Sequence, residues 1–68
     1  MEFPPCYYLV IVNSRGYFIE TEYSYDEYVE GQLMWAMDAA RADGALHGFV
    51  YVEPQPGWNR GRHLIQSF

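Results

Sequence analysis

Apolar and polar positions along this chain follow two periods, and the longest organised stretch has the helical one. Between Ser24 and Gly44, at about 100° per residue, Val29, Leu33, Ala36, Met37 and Ala40 share one stripe, with Tyr25 at its edge. Tyr28 and Trp35 fall on the opposite side, beside Glu27, Gly31 and Asp38. Ser24 followed three residues later by Glu27 is a capping box. Asp26, Glu27 and Glu30 put negative charge near the start, where the helix dipole favours it. Asp43-Gly44 provides the stop, since glycine takes the left-handed position after a helix without a Cβ penalty. The pattern predicts one helix over 24–44, with the Leu33 stripe inward and Trp35 outward.

Strand periods flank it. Cys6 to Val12 is rich in aromatic and β-branched residues, and its near-continuous hydrophobicity predicts a central strand. Asn13-Ser14-Arg15-Gly16 is a turn. Tyr17 to Tyr23 alternates, with Tyr17, Ile19, Thr21 and Tyr23 on one face and Phe18, Glu20 and Glu22 on the other. It reads as an edge strand in a hairpin with the first, its acids facing water. His47 to Glu53 is a third strand, Val50 and Val52 pointing one way, Phe49 and Tyr51 the other. Pro54-Gln55-Pro56-Gly57 breaks it, Trp58 to Gly61 is loop, and His63 to Phe68 forms a short fourth strand. Met1 to Pro5 is an extended lead-in.

The resulting order is β-β-α-β with a final β, an α+β domain whose antiparallel sheet carries the helix on one face. The expected strand order is 2-1-3, with the tail strand outside the third. A single helix covers one face only. The other exposes an aromatic row drawn from Tyr7 or Tyr8, Phe18 or Tyr17, and Phe49 or Tyr51, to be covered by the Trp58 loop or by another molecule.

Composition narrows the class. Sixty-eight residues make a single domain near the lower limit for a core without staples, and the one cysteine, Cys6, excludes an intrachain disulfide. Half the residues are apolar and 19% aromatic, far from a disordered composition. Met1 to Pro5 lacks a basic segment, and the apolar run Cys6 to Val12 is too short to span a bilayer. The expectation is a cytoplasmic protein with no membrane association.

Charge is uneven. All nine acids precede residue 54, offset there by Arg15 and Arg41 alone, a net −7; the remainder carries Arg60 and Arg62 and no acid. Glu20, Glu22, Asp26, Glu27 and Glu30 crowd one stretch, interleaved with Tyr23, Tyr25 and Tyr28. Such a field repels nucleic acid and attracts basic protein surfaces. Trp58-Asn59-Arg60-Gly61-Arg62-His63 has the elements of a base-stacking and phosphate site, but two arginines are a small footprint against an acidic body, and pairing with that body serves as well.

Catalytic and metal chemistry find little support. Cys6 with His47 or His63 has no nearby helix start to lower a thiol pKa, and reads as a small buried hydrophobe. No two of these three residues have a metal-ligand spacing, so neither metal nor cofactor is expected. Glu20 and Glu22 share a strand face but lack apolar surroundings that would raise a pKa. The glycines of Gly44 to Gly48 and Gly57 to Gly61 match no phosphate-cradling pattern.

In size, acidity and element order, from Cys6 to Glu53, the chain resembles small phage-encoded inhibitors. These include anti-CRISPR proteins and the phage inhibitor of bacterial RNA polymerase. The resemblance is architectural and carries over no site residue. It implies a non-enzymatic inhibitor that occupies a basic nucleic-acid-binding surface of a host machine. The residues expected to carry binding are Glu20, Glu22, Asp26, Glu27, Tyr28, Glu30, Trp35 and Asp38, because Trp and Tyr beside acids suit a basic partner. The alternative is a structural or homo-oligomeric accessory protein, such as a homodimer, pairing through its open sheet face or tail strand.

Overall fold

The computed structural model describes residues 6–53 and 61–68. Its elements are β1 (Cys6–Val12), β2 (Phe18–Ser24), α1 (Tyr25–Val29), α2 (Gln32–Ala42), β3 (His47–Val52) and β4 (His63–Ser67). The sheet order is β2-β1-β3-β4 with every neighbouring pair antiparallel. The α+β architecture, the 2-1-3 order and the tail strand outside the third are those the pattern predicts. The Met1–Pro5 lead-in, the Pro54–Gly57 break and the Trp58–Arg60 loop fall outside the described residues.

The β1–β2 hairpin follows from its turn chemistry. Gly16 N–H donates to the Asn13 carbonyl at 2.9 Å, and Asn13 N–H donates to the Tyr17 carbonyl at 3.0 Å. Gly16 is left-handed at φ 86°. The Asn13 side-chain oxygen accepts from the Arg15 and Tyr17 amides at 2.9 and 3.0 Å. This is a three-residue hairpin loop closed by a left-handed glycine, and it sets an uninterrupted register from Val12 opposite Phe18 to Cys6 opposite Ser24.

That register decides which side chains share a face. Tyr7, Leu9 and Ile11 lie opposite Tyr23, Thr21 and Ile19 on one side, and opposite Val52, Val50 and Gly48 on the other. Tyr7, Leu9, Val50 and Val52 meet Leu33 and Met37 of α2 in a single buried cluster. Phe68 extends the β4 pairing, its amide donating to the Gly48 carbonyl at 2.9 Å. Its ring occupies the space that a Cβ on Gly48 would fill, so glycine there makes room for the aromatic that closes this end of the core.

The helix departs from the expectation of one continuous rod. Its start is as predicted: Ser24 Oγ accepts from the Glu27 amide at 3.2 Å, and Glu27 Oε1 accepts from the Ser24 amide at 2.8 Å. Its end is also as predicted. The Ala45 and Gly44 amides reach back to the Ala40 and Arg41 carbonyls at 3.0 and 3.1 Å, the paired bonds of a Schellman stop. Between them the chain breaks at Gly31, which is left-handed at φ 87° and separates α1 from α2.

The break resets the helical phase and corrects two assignments. Val29, placed on the core stripe by a continuous period, is 62% exposed. Tyr28, placed on the outer face, instead packs on the core, its ring stacked on Tyr7 with centroids 4.0 Å apart and planes within 1°. C-terminal to the break the prediction holds: Leu33 and Met37 are buried, and Trp35 is exposed.

A substitution separates the two helix geometries. Gly31→Ala in a continuous helix would stabilise by about 1 kcal/mol. At a left-handed φ it is expected to destabilise by about 1 kcal/mol, because a Cβ opposes that conformation. The denaturant midpoint reports the sign.

Candidate functional site

The acids of the predicted site are held by three different local structures. Glu20 and Glu22 project from β2 on the sheet face opposite the helices, since they lie across from Val10 and Tyr8, whose neighbours Leu9 and Ile11 face the core side. Asp26, Glu27 and Glu30 belong to α1 and its C-cap, directly after β2. Asp38 is exposed on α2 together with Trp35, which is 74% exposed. The eight predicted site residues therefore do not form one surface. Glu20 and Glu22 lie on the open sheet face, Trp35 and Asp38 on the solvent side of α2, and Asp26, Glu27 and Glu30 on α1 and its C-cap. Tyr28 leaves the set, because its ring is engaged with Tyr7. Glu27 keeps its position but its carboxylate is already committed to the cap. The Glu30 carboxylate accepts from the Gln32 side chain at 2.9 Å.

The open face holds the aromatic row that the alternation implied, and the register chooses among the alternatives. Tyr8, Phe18, Phe49 and Tyr51 are its members. Arg62, just before β4, reaches across it. The guanidinium carbon sits 3.6 Å from the centroid of the Tyr8 ring, and Nη1 donates to Glu20 Oε1 at 2.7 Å. Tyr8 is buried although it faces away from the core cluster; this burial is the chief cause of its raised phenol pKa, and the Glu53 carboxylate adds to it. The Arg62–Glu20 pair is itself half exposed, so by the behaviour of surface ion pairs it contributes at most about 1 kcal/mol. Its interest is chemical: the acid and the aromatic together form a seat for a guanidinium.

Cys6 lies on the same face, half-buried rather than fully buried as its type suggested. Its thiol donates to Glu22 Oε2 at 3.3 Å, and this hydrogen bond is the main cause of a raised pKa, with desolvation and the Glu22 charge adding to it. A neutral thiol held this way has little thiolate character. Cys6 and His47 lie at opposite ends of β1, His47 pairing with Val12, and His63 pairs with Val52 across the other side of β3. Among the described residues no group of three or more His, Cys, Asp or Glu side chains is arranged to hold a metal ion. No helix among them is long and apolar enough to cross a membrane. Comparison with protein-family models, curated proteins and solved structures gives no match.

The backbone of β2 is a feature that side-chain patterns do not announce. Asn13 bonds to Tyr17, so in the alternating antiparallel ladder Ile19, Thr21 and Tyr23 turn their amides and carbonyls toward β1. Phe18, Glu20 and Glu22 turn theirs outward. Among the described residues β2 is an edge of the sheet, so these groups have no described strand beside them.

The thiol contact is open to a direct check. Glu22→Gln removes the carboxylate that raises the Cys6 pKa and supplies an amide able to donate to a thiolate. The pH midpoint for alkylation of Cys6 by iodoacetamide is expected to fall in the variant, with faster alkylation at pH 8. An unchanged midpoint would show that the Cys6–Glu22 contact does not form in solution.

Proposed function

We propose that this chain is a non-catalytic protein-binding module that occupies a basic surface of a nucleic-acid-handling complex and so blocks it. The observation that carries this reading is the run of acids from Glu20 to Glu30 along β2 and α1, in which Glu20 alone has an ion-pair partner among the described residues. A field of one sign left largely uncompensated steers a partner of the opposite sign. The same field opposes direct binding of nucleic acid. Trp35, exposed beside Asp38 on α2, supplies an aromatic anchor of the type that dominates binding energy at protein interfaces. The raised thiol pKa of Cys6 agrees with a role that does not use a nucleophile.

A second reading is self-association through the open sheet face, favoured by two residues exposed at its opposite edges, Phe18 on β2 and Leu64, which pairs with Tyr51, on β4. Sedimentation over a range of concentrations separates the two, because only self-association makes the mass rise with concentration.

The test of the first reading uses a basic protein captured from a bacterial lysate and its nucleic-acid ligand. Adding the chain is expected to release the nucleic acid. Trp35→Ala is expected to weaken binding by about 2 kcal/mol with an unchanged circular dichroism spectrum. Asp26→Lys with Glu30→Lys leaves the capping box intact, and is expected to slow association about tenfold or more at low salt. Retention of the nucleic acid at saturating chain would contradict the reading.

A further inference from the structure

We infer that β2 is a docking edge for an extended segment of the partner, one with basic residues at alternate positions. The inference rests on the proposed basic partner and names the form that partner takes.

The first support is the state of the edge. Exposed edge strands invite pairing, and proteins usually blunt them with charged side chains, proline or a bulge. β2 is Phe-Ile-Glu-Thr-Glu-Tyr-Ser: it has no proline, its register with β1 runs through seven pairs without a shift, and its two charges are both acidic, which opposes an acidic strand and not a basic one. The opposite edge differs, for the β3–β4 pairing has a register irregularity at Val50/Tyr51. One edge of the sheet is broken and the other is straight.

The second support is charge. Phe18, Glu20 and Glu22 carry the outward backbone groups, and their side chains share the open face. An antiparallel strand bonded to that edge would place its own side chains beside theirs on the same face. Two copies of β2 pairing with each other would set acids beside acids, which disfavours a second copy as the occupant. A strand with Lys or Arg opposite Glu22 and Glu20, and an apolar residue opposite Phe18, meets at Glu22 an acid with no ion-pair partner among the described residues, at Glu20 an acid it shares with Arg62, and at Phe18 an exposed aromatic. Its intervening residues would lie along Ile19 and Thr21, where β-branched side chains fit. In chain order the segment reads basic, β-branched, basic, β-branched, apolar.

The third support is that the chain already contains one such contact. Arg62 pairs with Glu20 and lies over Tyr8, so a carboxylate of β2 on this face already engages a guanidinium, from the inner side of the strand.

The test uses the full chain and a synthetic, capped peptide Thr-Arg-Val-Arg-Val-Leu-Thr, with a Glu-for-Arg peptide as control. Three results are expected. The basic peptide binds and the acidic one does not. The amides of Phe18, Glu20 and Glu22 gain protection from hydrogen exchange on binding. Glu20→Pro, which removes an outward N–H and leaves the β1 ladder intact, weakens binding tenfold or more. Should that variant not fold, the peptide N-methylated at the amides facing β2 gives the same test from the other side. Peptide that binds the wild type and Glu20→Pro equally, or protection that appears on α2 instead of β2, would overturn the inference. A basic protein bound with no gain of protection in β2 overturns the docking edge and leaves the wider reading standing. Failure of peptide and basic proteins alike to bind overturns both.

Discussion

The stacking of Tyr28 on Tyr7 is the contact on which the rest of the molecule depends. It ties the first turn of helix to the central strand, and an aromatic pair of this kind contributes about 0.5–1.5 kcal/mol beyond the area it buries. Tyr28 can reach Tyr7 while Leu33 and Met37 reach Leu9 and Val50 only if the helical phase changes between them. Left-handed Gly31 makes that change, and the capping box at Ser24 and the Schellman stop at Gly44 hold the two ends. Val29 is turned out to solvent as a consequence.

A chain this short can build one helical layer, and a four-stranded sheet has two faces. The core cluster lies wholly under the helices, and on the other face Arg62 does part of the covering by lying across Tyr8. This asymmetry leaves exposed the β2 edge, the acids Asp26 and Glu30 after it and, on the open face, Phe18 and Leu64. We propose that these surfaces serve a basic partner. A surface built from an open backbone edge and carboxylates gives orientation as well as attraction, since the ladder fixes register while the charges speed encounter.

How much of this was legible in the sequence follows from the range of each interaction. The strands, their order, the capping box and the helix stop rest on local periods and turn residues, and these were readable. The exposure of Trp35 was readable because it shares an unbroken helical turn with Leu33. The inward turn of Tyr28 was not, because a continuous helical period runs through Gly31 and fixes the phase of Tyr28 from that of Leu33. The signal was present: Glu30-Gly31-Gln32 places a poor helix former one turn after Tyr28, where it could as well end a short helix. The contacts of Arg62 with Glu20 and Tyr8, and of Cys6 with Glu22, depend on strand register across distant segments. Pairing of the tail arginines with the acidic body was one of the alternatives open in the sequence, but its partners were not specified. The outward backbone groups of β2 needed the hairpin geometry itself.

The most direct measurement of this account is the aromatic region of a nuclear Overhauser spectrum of the full chain. Strong cross-peaks are expected between the ring protons of Tyr7 and Tyr28, with both rings shifted by their mutual ring currents. None is expected between Trp35 and Leu9 or Val50. A Tyr28 ring at unperturbed shifts without contact to Tyr7, together with cross-peaks from Val29 to the core, would restore a continuous helix and contradict this account.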